Sequence, residues 1–250
     1  MRFVQGRLVL TGLACLLLTA CAGGTPDAGG DESTGAKRQA GFLSALRAAA
    51  PDTKPAAIPL QSADLARGAI VVKGPEGYCI EPSSLSRKQG GFALLASCRI
   101  MTGGKGGNAV TPALLTVSVG PALSGLGAPN SADLAQALSE MQVIAASDVD
   151  GMALVQLGRG GDSIFDDGDP VHWRGALVVN SRLVGLAAYG PNGGEIAKAK
   201  GAALLTALAK SISNASPERT ATRTKRASVS DTNAGKQRKG LRGALQSLFN

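Results

Sequence analysis

The sequence predicts an α+β fold, a single domain in which an antiparallel β-sheet is covered by two main helices. Three observations lead there. Short apolar runs recur between residues 69 and 189, separated by glycine, proline and asparagine turn signals. Two of these runs, 171–179 and 183–189, are joined through Asn180-Ser181-Arg182, a connector of hairpin length. Two other segments, one following Ser131 and one over 195–212, carry apolar residues at helical spacing.

The elements follow in chain order. Residues 42–50 could form a short helix, with Phe42, Leu43 and Leu46 at helical spacing. Pro51, Pro55 and Pro59 then force an extended stretch, because each proline pushes the residue before it away from helical angles. The body begins near Leu65. Strands are expected over 69–73 and 77–80, broken by Gly74-Pro75, and over 92–100 and 114–119. Ser131 can cap a helix whose stripe is Leu134, Ala135, Leu138 and Met141. Strands over 143–146 and 152–157 come next, and the hairpin strands lie beyond an acidic loop. The last body helix, 195–212, lines one face with Ile196, Ala199, Ala203, Leu204, Ala207, Leu208 and Ile212. It is rich in Ala and Leu, so propensity agrees with pattern.

The N-terminus reads as an address. Arg2 and Arg7 precede an apolar stretch from Leu8 to Leu18, about half of the ~20 residues that cross a bilayer. Leu18-Thr19-Ala20-Cys21 closes it and resembles the lipobox of bacterial lipoproteins, in which the cysteine becomes the lipid-bearing first residue. An ordinary secretory signal with an incidental cysteine is the alternative. The resemblance implies a signal over 1–20, lipid (palmitate among the acyl chains) on Cys21, and a membrane anchor facing the periplasm. Ala22 after the cysteine favours the outer membrane. Residues 21–64 then form a tether with the short helix and proline stretch, 65–213 the body, and 214–250 a basic tail.

Charge belongs to that tail. The chain carries a formal +8, but Arg2 and Arg7 leave with the signal. Eight basic residues in 214–250 face only Glu218 and Asp231, so the rest of the mature chain is neutral. The tail is mostly Ser, Thr, Ala and basic residues, a composition expected to stay disordered. Its end differs: Leu241, Leu245, Leu248 and Phe249 make a short amphipathic segment that could lie shallowly in a membrane surface. Anionic lipid or peptidoglycan are the partners such a tail would meet. Export and the lack of interleaved aromatics argue against nucleic acid.

Once Cys15 is removed and Cys21 lipidated, Cys79 and Cys98 remain, an even pair in an exported chain and so a disulfide. Closing that loop contributes roughly 3 kcal/mol in the chain-entropy account. A redox pair is the other reading, but no Cys-x-x-Cys occurs. The stretch Gly77-Tyr78-Cys79-Ile80-Glu81-Pro82 and the run Phe92 to Cys98 resemble uncharacterised lipoproteins of alphaproteobacteria. That resemblance implies only the disulfide and the location, with no catalytic residue and no activity.

Chemistry-bearing motifs are sparse. His172 is the sole histidine, which excludes any site needing two. A periplasmic hydrolase would have to use it, with no Gly-x-Ser-x-Gly elbow to help. The bland alternative is a sheet-edge histidine beside Trp173, the only tryptophan and a core anchor. Asp162, Asp166, Asp167 and Asp169 could hold calcium, but their spacing is not that of an EF-hand, and a solvated loop competes. Gly103-Gly104-Lys105-Gly106-Gly107 lacks the Walker spacing and reads as a strand connector. No cofactor is expected. The function expected is a non-catalytic binding or scaffolding component of the cell envelope. The hydrolase and the calcium module are the alternatives.

Overall fold

The computed structural model describes residues 58–122, 127–217 and 231–249. The signal, Cys21, the candidate helix over 42–50, Pro51, Pro55 and residues 218–230 of the tail lie outside them.

An antiparallel sheet of seven strands organises the body. A small hairpin, β1 (Ser62–Leu65) and β2 (Ile70–Lys73), stands apart as its own two-stranded sheet. The large sheet contains β3 (Tyr78–Ile80), β4 (Phe92–Ser97), β5 (Leu114–Ala122), β6 (Val143–Val149), β7 (Met152–Leu157), β8 (His172–Val179) and β9 (Arg182–Tyr189). Their spatial order is β3-β4-β5-β9-β8-β7-β6, and every pairing is antiparallel. The helices are α1 (Cys98–Met101), α2 (Ser131–Ala137), α3 (Ala199–Ala215) and α4 (Asp231–Phe249).

Turn chemistry sets the hairpins. Asn180 and Ser181 both have positive φ, 49° and 59°, between the paired residues Val179 and Arg182. A two-residue turn of that hand matches the twist of the flanking strands. Asp150 and Gly151, at φ 50° and 78°, do the same between β6 and β7.

Alternation along the strands divides the apolar residues into two layers. One face carries Leu95, Leu115, Val117, Leu154, Trp173, Leu177 and Leu186. It packs under α3, through Leu205, Leu208 and Ile212, and under the β1–β2 hairpin through Leu65, Ile70 and Val72. The other face carries Val155, Leu157, Ala176 and Leu183 beneath Leu134 and Leu138, and beneath Leu241 and Leu245 of α4. The sheet is therefore covered on both sides.

Several boundaries differ from the sequence expectation, each for a local reason. The run 92–100 turns at Cys98 because the Ser97 hydroxyl accepts from the Ile100 N–H and starts one helical turn. The helix expected at Ser131 is capped by Asn130, whose Oδ1 accepts from Asp133 N at 2.8 Å, while Ser131 bonds instead to Asp148. The stretch 195–212 breaks at Lys198. Residues Glu195–Ala197 form a 3-10 turn, and the Lys198 carbonyl accepts from Trp173 Nε1 at 2.9 Å and from Gly201 N at 3.0 Å. Gly201 is required there, because a Cβ would stand 2.1 Å from the Ile196 carbonyl oxygen and 2.4 Å from the Trp173 ring.

The tail departs most. Its amphipathic end belongs to the nineteen-residue helix α4, whose Leu241 and Leu245 are buried in the body. Those side chains pack on the protein's own sheet and α2, and among the described residues of α4 Arg238 and Lys239 are exposed.

Candidate functional site

The sheet face under α2 and α4 holds two buried polar side chains, His172 and Arg174. β8 places His172, Arg174 and Ala176 on it by alternation, and β9 places Leu183, Gly185, Ala187 and Tyr189. His172 is fully buried. Its ring stacks on Tyr189 with centroids 5.1 Å apart and planes 20° from parallel. Its Nδ1 lies 3.2 Å from the Pro170 carbonyl oxygen, and Arg174 Nε donates to its Nε2 at 3.3 Å.

That arrangement fixes the ring's state. A guanidinium only donates, so Nε2 must hold a lone pair and the proton sits on Nδ1, pointing at Pro170. Burial pushes the pKa down from 6.5 to about 4, and the Arg174 charge pushes the same way. The Pro170 hydrogen bond and the more distant Asp162 charge oppose this with less effect. A general base is oriented and made more basic by an acid at its other nitrogen. In His172 that other nitrogen, Nδ1, meets the Pro170 carbonyl instead of an acid, and the lone-pair nitrogen Nε2 is already taken by the Arg174 cation, so both nitrogens are engaged.

Arg174 in turn is held by α4. Nη1 donates to the Phe249 carbonyl at 3.2 Å, and the guanidinium carbon stands 4.9 Å from the centre of the Phe249 ring. Leu248 and Phe249 reach the sheet only because residue 185 is glycine: a Cβ there would lie 2.7 Å from Leu248 Cδ2 and 3.0 Å from Phe249 Cε1.

Beside the end of α4 an open groove of about 770 Å³ runs over β5 toward β4. Lys88, Phe92, Ser118, Arg182, Ser247 and Leu248 are among its walls. Among the described residues its wall has two cations and several hydroxyls, and no acidic side chain. Arg182 is steadied by donating from Nη1 to the Gly120 carbonyl at 3.3 Å. The sequence gives no local sign of this groove, because Lys88 and Arg182 meet only through the placing of β5 between β4 and β9. Burial also pushes the hydroxyl pKa of Tyr189 upward, so the phenol stays protonated beside Arg174.

The other candidate residues fall elsewhere. Cys79 and Cys98 have their sulfurs 2.00 Å apart and Cα atoms 4.9 Å apart, with Cys79 on β3 opposite Ala96 and Cys98 two residues further at the start of α1. Asp162, Asp166 and Asp167 are exposed, whereas Asp169 is buried with both oxygens turned to backbone N–H groups: Val171 at 2.9 Å and Gly193 at 2.8 Å. Asp169 thus pins the acidic loop to the 190–194 loop, and the four aspartates do not converge. Among the described residues no group of three His, Cys, Asp or Glu side chains is placed to hold a metal ion, and no helix is long and apolar enough to cross a membrane. Residues 103–107 connect α1 to β5, with the Thr102 hydroxyl donating to the Gly106 carbonyl and accepting from its N–H.

No protein-family model matches the chain, and neither the curated proteins nor the solved structures contain a match.

Proposed function

We propose that this is a lipid-anchored binding component of a bacterial cell envelope, held through Cys21 at the periplasmic face of the outer membrane, with the groove beside α4 as its ligand seat. The observation that carries the reading is the groove itself: Lys88 and Arg182 with serine hydroxyls over an apolar floor, and no carboxylate among the described residues of the wall. Such a surface favours a partner bearing an acidic group next to an apolar one. The lipobox motif and the cysteine pair support an exported setting. Hydrolysis through His172 would need that ring to accept a proton, which Arg174 and its burial oppose.

The test is site-specific photocrosslinking in intact cells. A photoreactive residue at Ser247, in the groove, should capture a defined envelope component, while one at the exposed Lys200 on α3 should not. Capture of nothing from Ser247, or the same products from both positions, would remove the groove as the binding site.

A further inference from the structure

The groove beside α4 has an apolar side chain on either hand and a floor kept open by glycine. Phe92 on β4 pairs with Ser118 on β5, and Ser118 pairs with Gly185 on β9, so the three share one face of the sheet. Leu248 lies over Gly185 on that face. Ser118 is therefore flanked by Phe92 and Leu248, and all three side chains are half-buried. Gly120, two residues further along β5, puts no side chain into the floor. Gly90, at φ 110°, brings the turn that carries Lys88 down onto β5, where a Cβ would stand 2.1 Å from the Val119 carbonyl oxygen.

The two cations keep donors to spare. Arg182 spends an Nη1 hydrogen on the Gly120 carbonyl, and a guanidinium has five N–H groups. Lys88 is exposed. Among the described residues neither is joined to a carboxylate; the ion pairs there are Lys198–Glu195 and Lys210–Asp150. A cleft lined by one sign of charge focuses the field and concentrates ligands of the other sign.

Four features choose among acidic ligands. β5 is paired on both sides, by β4 and β9, so a peptide finds no free strand edge in the floor. No carboxylate in the described wall can receive an ammonium, which disfavours ligands that carry an amine beside their acid. Phe92 and Leu248 on either side of Ser118 suit a hydrocarbon chain rather than a sugar. A volume of about 770 Å³ is that of a cleft for one small molecule.

We propose that the groove seats a single anionic phospholipid, its phosphate on Lys88 and Arg182 and an acyl chain over Ser118 and Gly120 between Phe92 and Leu248. The inference rests on the groove being the ligand seat, and it adds the class of ligand. It requires neither the lipid on Cys21 nor the basic tail, since both are left intact by a change at Lys88.

The test uses the full-length chain with a photoreactive residue at the exposed Ser247, purified in a non-ionic detergent. Phosphatidylglycerol or phosphatidylethanolamine with the same acyl chains is added, and the adduct is weighed by mass spectrometry after irradiation. Phosphatidylglycerol should give on the order of tenfold more adduct than phosphatidylethanolamine. Lys88→Glu should lower the phosphatidylglycerol adduct on the order of tenfold, while Lys88→Arg keeps it. Equal adduct from the two lipids, no change in Lys88→Glu, the same loss in Lys88→Arg, or an adduct abolished by inorganic phosphate at the lipid's concentration would each overturn the proposal. In intact cells the same probe separates the two levels of the account. A protein or peptide captured at Ser247 overturns the lipid and keeps the groove, whereas capture of nothing removes the groove as well.

Discussion

His172 and Arg174 sit two residues apart on β8 and share the face that α4 closes. Burial chiefly keeps the histidine neutral, and Arg174 adds to it, because a protonated ring would set N–H against the guanidinium with no acid between them. The consequence for stability has a definite sign. Unfolded, the ring titrates near 6.5; folded, it resists protonation to about 4. Above pH 6.5 both states are neutral and stability is greatest. As the pH falls from 6.5 to 4 the unfolded chain takes up the proton first, and roughly 3 kcal/mol is lost across that window. Denaturation midpoints measured from pH 7 to pH 4 should fall, and His172→Gln should flatten the fall relative to the unaltered protein. An identical slope in both would show that the ring is exposed.

Helix α4 is the element whose role rests most on packing. Gly235, Gly240 and Gly243 each cost about 1 kcal/mol of helix propensity against alanine, so isolation would not sustain it. Leu241 and Leu245 hold it against α2 and the sheet, and Arg242 donates to Gln136 Oε1. Leu245→Ala should cost about 2–5 kcal/mol in guanidinium unfolding, and an unchanged midpoint would mean that the helix is not part of the body. Removal of everything beyond Asn214 would likewise strip one face of the core of Leu241 and Leu245. The amphipathic stripe Leu241, Leu245, Leu248 and Phe249 was legible in the sequence, but its destination was not, because a stripe says that a face is buried without saying against what. The strands over 152–157, 171–179 and 183–189 are legible because each is a mostly apolar run of strand length bounded by turn residues. β1 escaped because Ser62–Leu65 is four residues long and half polar. The groove left no trace in the sequence at all: its cations come from a loop before β4 and from the start of β9, and only the strand order brings them together.

At the scale of the whole molecule, the charge and the fold are separate matters. The neutral body carries the sheet and the groove. Most of the positive surplus lies beyond Asn214, and part of it is displayed on the exposed side of α4 by Arg238 and Lys239. In the reading proposed above, Cys21 links the two to a membrane: it sets the compartment in which Cys79 and Cys98 pair, and it places the groove within a tether's length of acidic envelope surfaces. The number of acyl chains matters here, since one chain gives only marginal anchoring whereas several make it stable. The most direct measurement is labelled-palmitate incorporation and membrane fractionation of the full-length chain in a bacterial host, with Cys21→Ser beside it. The unaltered protein should carry label and sediment with the envelope, and Cys21→Ser should carry none and lose the envelope association. An unaltered protein that takes up no label, or a Cys21→Ser variant that is labelled and retained to the same extent, would contradict the lipid anchor on which the proposed function rests.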